Sequence, residues 1–457
     1  MSGIRSTQLF FACSQYAAAT VTAAIRSGLF GRRAEHRRVL VVSDTSPAPE
    51  VGTPLDLMAG FESLRPEFDA VRSWNDFIRP FHPAGWSPRE QDALLWERSL
   101  RQAWELGDGP VEIACESIQA GPSNAVARIF SESPVHVYAD GLMSYGPTRS
   151  RIDPLIGTRV RRLLHLDLVP GLRPLLLTEF GVRPEVIPTA EFLKVLAGLA
   201  DASPEVPDFR AEPPALLLGQ YLSAIDVLTA AEEEDLHVRM LRGTVALGHR
   251  SIVFKPHPSA PAAWSRTLGR AAESLGAELT VLDSPVIAEV VYQRLRPALV
   301  VGAFSTALLT AAAFYRIPVA RIGTETLLAR LTPYQNSNRM PVTIVDALLP
   351  SLEDPAAVAA WTMPGDEWVR DELTGLVAAV GFTMQPRLYP DLRPAAERYL
   401  AQRPAAGTGK YFRRRRLTAL ALPGGIPDRL AFLPRNPVVR RMARRARRWK
   451  RTALGGR

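Results

Sequence analysis

Three short segments, far apart in the chain, carry groups that can do chemistry together: YADGLMSYGPTR from Tyr138 to Arg149, VFKPHPSAP from Val253 to Pro261, and VVGAFSTALLTAAAF from Val300 to Phe314. Each reads as a strand end that breaks into a polar turn. The first offers the carboxylate of Asp140 beside Gly141, and a carboxylate there can take the proton of an attacking hydroxyl. The second offers Lys255 and His257 among prolines, a cation and an imidazole suited to a departing phosphate. The third offers Ser305 and Thr306 at what reads as a helix start, where backbone N–H groups and the helix dipole favour an anion. A base, a cationic patch and hydroxyls at a helix N-terminus are what a sugar-transfer site needs. Each group also has an ordinary structural use: Asp140 as a turn aspartate, His257 as a surface imidazole, Ser305 as an N-cap.

The elements that would position these groups alternate between strand and helix. In the first half LFFA, RRVLVVSD (Arg37 to Asp44), PVEIACES (Pro110 to Ser117) and PVHVYAD (Pro134 to Asp140) read as strands, with a helix over Ser87 to Gly107. In the second half PALLLGQ, RSIVFKP, AELTVLD, ALVVGAF and PVARIG read as strands, and EEEDLHVRMLRGTVALG as an amphipathic helix. This alternation predicts an α/β chain with two doubly wound, Rossmann-like domains. We place the domains at 1–200 and 215–400, with the Pro- and Asp-rich stretch 201–214 as linker and 401–457 as a basic tail. The uncharged stretches Thr7 to Ile25 and Ala298 to Tyr315 approach membrane-span length, yet each reads as a buried strand, a polar turn and a helix. Ligands in such sheets bind beyond the carboxyl ends of strands, where the three motifs fall. Ser14, Gln15, Gly141 and Gln220 follow strands in the same way and are candidates to line the cleft.

The order of the motifs resembles that of the bacterial sialyltransferases, in particular the polysialyltransferase-like family, which carries an acidic pair before glycine, then His-Pro, then Ser-Ser or Ser-Thr. Here these are Ala139-Asp140-Gly141, His257-Pro258 and Ser305-Thr306. The likeness runs from about Thr7 to about Pro390. It departs at Ala139, which leaves one carboxylate and no adjacent acid to tune it. The resemblance implies a GT-B architecture, two Rossmann-like domains facing a cleft, with final helices between Trp368 and Tyr399 crossing back to the first domain. It implies an inverting glycosyltransferase with a CMP-linked sialic acid or related donor and a glycan acceptor, without a cofactor. It further implies Asp140 as base, His257 for the leaving group, Lys255, Pro258, Ser305 and Thr306 around the nucleotide phosphate, and Glu289 on the ribose hydroxyls.

Composition narrows the class. The sequence has 457 residues and 47% hydrophobic content, enough for two cores. Cys13 and Cys115 have no metal-ligand spacing, and no Asp-x-Asp, HExxH or Cys-x-x-Cys occurs, so no metal site is expected. GTGK from Gly407 to Lys410 lacks the rest of a phosphate loop and reads as linker. The net charge of +9 belongs to the tail: residues 401–457 hold 17 Lys/Arg against Asp428 alone, whereas the first 400 carry 38 bases against 45 acids. In VVRRMARRARRWKRTAL, Val438, Met442, Ala446, Trp449 and Ala453 share one helical side among arginines, with Arg413 to Arg416 adding charge. That pattern predicts a basic amphipathic helix on an anionic membrane and a cytoplasmic protein peripheral to the inner face; nucleic acid is the alternative partner. Two other functions compete: a teichoic-acid-type transferase using a CDP-linked polyol phosphate, and a catalytically inactive basic scaffold, which Ala139 keeps open.

Overall fold

The computed structural model describes residues 6–139, 141–203, 213–257, 260–403 and 409–426. Asp140, Pro258, most of the expected linker and the helix pattern from Val438 onward lie outside the described residues.

Two parallel sheets organise the chain. The first has seven strands: β1 (Ser6–Ala12), β2 (His36–Val42), β3 (Ala70–Ser73), β4 (Val111–Cys115), β5 (Val135–Ala139), β6 (Val160–Leu166) and β7 (Pro184–Ile187). Their spatial order is β3-β2-β1-β4-β5-β6-β7. The second has β8 (Ala215–Leu218), β9 (Ser251–Lys255), β10 (Glu278–Val281), β11 (Leu299–Gly302) and β12 (Val319–Arg321) in the order β10-β9-β8-β11-β12. All ladders are parallel. The α/β fold expected from the alternation is therefore present, and each sheet reverses its direction of growth once, between β1 and β4 and between β8 and β11.

The nine expected strands form, and β3, β6 and β7 join them. Those three were illegible for a physical reason. β3 is short and only half buried, β6 carries exposed Arg161 and half-buried Arg162 between Val160 and its buried Leu163–Leu166 half, and β7 begins at Pro184 on the sheet edge. The helix expected over Ser87 to Gly107 is regular only over Ala93–Ala103, after a 3-10 turn at Glu90–Asp92. Gly302 ends β11, so the turn falls at Ala303–Ser305.

The alternation of side chains along the first sheet feeds two cores. Leu9, Phe11, Val39, Val41, Ile113 and Val137 face one, while Phe10, Ala12, Leu40, Ala114 and Tyr138 face a second that continues into the other sheet's helices. The continuity runs through the Thr189–Asp201 helix. Phe192 meets Phe314 edge-on at 6.1 Å, and the Arg294 guanidinium donates to Ala200 O at 2.7 and 2.9 Å. Further along, Tyr389 Oη accepts from Thr148 N–H at 2.9 Å and reaches Glu179 at 2.5 Å, and Gln385 donates to Arg149 O at 2.5 Å. The segment after the Thr374–Met384 helix thus grips loops of the first sheet.

Of the stretch expected as tail, residues 409–426 are packed on the body. Tyr411, Phe412, Leu417 and Leu422 are buried. Tyr411 donates to the Asp346 carboxylate at 2.8 Å, Lys410 pairs with it at 2.5 Å, and Arg413 and Arg416 donate to Leu331 O and Thr383 O at 2.9 and 2.8 Å. Two of the four arginines expected to face a membrane are therefore engaged by carbonyls of the body.

Candidate active site

Both reversals fall at the carboxyl edge of the strands, where such sheets form a crevice, and a hydrogen bond crosses each. In the first sheet Cys13 N–H, just past β1, donates to Glu116 Oε1, just past β4, at 2.5 Å. Tyr138 Oη donates to Phe11 O at 2.5 Å and lies 3.5 Å from the same Glu116 oxygen. Ser14 caps the Gln15–Arg26 helix by accepting from Ala17 N–H at 3.0 Å, and buried Gln15 donates to Ala59 O at 2.7 Å. Ser14 remains exposed toward solvent, while the Gln15 amide nitrogen is spent on the backbone.

In the second sheet Phe304 N–H, past β11, donates to Gln220 Oε1, past β8, at 2.9 Å. Gln220 thereby fixes the turn that presents Ser305. Ser305 is the N-cap of the Thr306–Phe314 helix and accepts from Ala307 N–H at 3.2 Å. The capping use and an anion-facing use are compatible, because a cap satisfies only some of the free N–H groups of the first turn.

Lys255 ends β9 and is 8% exposed, with Nζ donating to Ser284 O at 2.8 Å. Burial pushes its ammonium down to about 8, against the opposing pull of Glu289 and Asp283. His257 is exposed, with its ring 6.0 Å from that of Tyr221. Desolvation lowers its pKa below the ordinary imidazole value, Glu233 raises it and Lys255 lowers it. Desolvation thus favours the neutral ring, and a phosphate beside it would favour the imidazolium. Glu289 is 3% exposed rather than on a solvated helix face, and it accepts from Thr310 Oγ1 at 2.6 Å.

The first and third motifs meet. Thr306 Oγ1 accepts from Leu142 N–H at 3.3 Å, and a Cβ placed on Gly141 would lie 2.9 Å from that oxygen. Glycine at 141 is what lets the chain there approach the helix N-terminus.

Two acids escaped notice in the sequence. Glu116 directly follows a strand, the same signal that singled out Asp140, and could have been found by it. Glu233 sits in an EEED run that reads as solvated, yet it is fully buried and accepts from Leu222 and Ser223 N–H at 2.7 and 2.8 Å. It anchors the loop that carries Tyr221 beside His257, and only packing reveals that.

Two Rossmann-like halves, with motif residues at facing carboxyl edges and a shared core, are a GT-B glycosyltransferase architecture. Solved structures with a similar fold include an MnaA–UDP co-structure from S. aureus, at 10% identity over 85% of this chain and 97% of that one, TM-score 0.46. Another is a Photobacterium damselae sialyltransferase, residues 113–497 corresponding to its GT-B domain, at 10% identity over 75% and 96%, TM-score 0.40. No curated protein sequence matches. The family model described as alpha-2,8-polysialyltransferase matches residues 8–324, a span that holds all three motifs, and the chain belongs to that family. It is a sialyltransferase-like glycosyltransferase, and its family implies a nucleotide-sugar donor and a glycan acceptor. Among the described residues no helix is long and apolar enough to cross a membrane.

Proposed function

We propose that the protein is an inverting, metal-independent transferase that moves sialic acid or a related nonulosonic acid from a CMP donor to a cell-surface glycan. The observation that carries this reading is the contact of Thr306 with Gly141 and Leu142. It sets Gly141 and Leu142, which follow the proposed base in sequence, against the start of the Thr306–Phe314 helix. Asp140 takes the acceptor hydroxyl's proton as its oxygen attacks the anomeric carbon. The bond to the CMP phosphate breaks, and the charge left on that phosphate is met by Lys255, His257 and the Ser305–Thr306 helix start. Pro258 is assigned with His257 to the nucleotide phosphate, and Glu289 to the ribose. Gln220 is a positioning residue for Ser305, and Ser14 and Gln15 line the acceptor side.

Calorimetric titration with CMP and CDP tests the donor. CMP binding with weak CDP binding is expected, and the reverse would favour a CDP-polyol-phosphate transferase. EDTA is expected to leave transfer unchanged; loss that a divalent ion restores would remove the metal-free assignment.

We further propose that the sequence beyond Ile426 places the enzyme on the inner face of an anionic membrane. A chain ending at Ile426 should fold, bind CMP and lose flotation with anionic vesicles. A chain ending at Gln402 should be destabilised by several kcal/mol, since burial of side chains such as Leu417 and Phe412 contributes roughly 1.5–3 kcal/mol each. Equal flotation of the full chain and the Ile426 chain would exclude the basic helix as anchor. RNA retention without vesicle binding would favour nucleic acid instead.

A further inference from the structure

Beside the first crevice lies a cavity of about 760 Å³ that the transfer chemistry does not use. Its walls are the segments that follow β2 and β3, so it opens at the carboxyl edge of the first sheet, the edge at which β5 ends. The junction with the crevice is direct: Ser43 N–H donates to Ala12 O at 3.0 Å, one residue before Cys13.

The cavity is built rather than merely open. Asn75 spends its whole side chain on the wall, accepting from Ser43 Oγ and Asp44 N–H at 3.0 Å and donating to Asp44 O at 2.8 Å. His82 Nδ1 accepts from Ala84 N–H at 3.2 Å, which leaves Nε2 to donate to Ser46 O at 2.9 Å. The Asp44 carboxylate lies over Gly52, where a Cβ would meet its Oδ2 at 2.9 Å. On the rim Phe81 is 52% exposed and stacks at 26° on Trp86, which is itself wedged edge-on against Trp74 and Trp96. A flat aromatic face held rigid beside hydrogen-bond acceptors is how proteins grip a pyranose: the ring covers sugar C–H bonds while carboxylates accept from hydroxyls.

Charge sets the class of sugar. The lining holds Asp44, Glu50, Asp56 and Asp76 against the single guanidinium of Arg79, which is paired to Asp76 at 2.7 Å. Among the described residues no cation pairs with the other three. A chain of sialic acids brings one carboxylate per residue into that field, and like charges at close range oppose binding.

We propose that this cavity seats a neutral sugar of the acceptor glycan, so that the protein caps or primes an uncharged glycan rather than extending a polysialic acid chain. Its role as acceptor seat rests on the transferase reading above.

Saturation-transfer NMR on the full chain, with methyl glycosides of lactose, maltose and cellobiose as neutral probes and an α2,8-linked tri-sialoside as the anionic one, tests this. At least one neutral probe is expected to bind at least tenfold more tightly than the tri-sialoside. Phe81→Ala and Asp44→Asn should each weaken the neutral probe about tenfold while leaving CMP affinity unchanged, which also shows that the variants fold. Asp56→Lys should improve tri-sialoside binding. The proposal is overturned if the tri-sialoside binds as tightly as every neutral probe, if no neutral probe binds, or if Phe81→Ala leaves neutral binding unmoved. Neutral-sugar binding in a protein that ignores CMP would keep the cavity assignment and remove the transferase reading instead.

Discussion

At both sheets a side-chain oxygen from one central strand end accepts a backbone N–H from the neighbouring strand's loop, but the oxygen differs. Glu116 brings a negative charge to the first crevice, and Gln220 brings a neutral amide to the second. The surroundings follow suit. The first edge adds Asp44, Glu50 and Asp56 close by, while the second has Lys255, His257 and the start of the Thr306–Phe314 helix. One plan of chain reversal thus yields an acidic half and a cationic half. In the proposed reaction the hydroxyl that loses a proton sits with the first and the phosphate with the second.

The comparison breaks most sharply at the proposed base. Asp140→Asn should lower kcat by ~10²-fold or more with CMP affinity unchanged, the usual scale for a lost general base. Full turnover in that variant would hand the role to another group, with Glu116 the next to substitute.

On the cationic side Lys255→Met should weaken CMP by about 10- to 100-fold, the range for a lost hydrogen bond to a charged group. The same residue gives a pH signature. With its pKa near 8, the ammonium is present below that pH and lost above it, so CMP affinity should fall between pH 7 and 9 in the native protein and stay flat in the variant. Stability should move the other way. The unfolded lysine holds its proton up to the ordinary value of 10.5 and the folded one does not, so Lys255 makes stability rise with pH between about 8 and 10.5, by at most about 1.4 kcal/mol per unit. A CMP affinity independent of pH in the native protein would detach Lys255 from the phosphate.

Exchanging the bridging oxygens sharpens the contrast further. Gln220→Glu keeps an acceptor for Phe304 N–H but places a carboxylate beside the phosphate site, and about a tenfold loss of CMP affinity is expected. If calorimetry shows no loss, the crevice does not face the nucleotide. The smallest effect belongs to the seam between the halves. Thr306→Val removes the acceptor for Leu142 N–H, a neutral hydrogen bond worth about 1 kcal/mol, and should lower kcat/KM a few-fold with little change in Tm.

How much of this was legible in the sequence depends on how local the signal is. Apolar runs such as LFFA and ALVVGAF become fully buried parallel strands because both faces of such a sheet are covered, and that pattern needs no partner to be read. Strand-end polar residues were legible for the same reason, including Gln220 and Ser305. β6 and β7 were not, since an arginine pair and an initial proline are tolerated only because of where those strands lie in the sheet.

The sequence by itself determined the alternation of strands and helices, the order of the three motifs and their place at strand ends, because backbone hydrogen bonding and side-chain periodicity act over a few residues. Tertiary structure alone decided which groups meet. Thr306 finds Leu142 across 164 positions, Glu116 finds Cys13 across 103, and Lys410 and Tyr411 fold out of a basic stretch to satisfy buried Asp346. Those pairings follow from how two sheets and their shared core pack, and a buried charge such as Asp346 must find its partners wherever the fold has brought them.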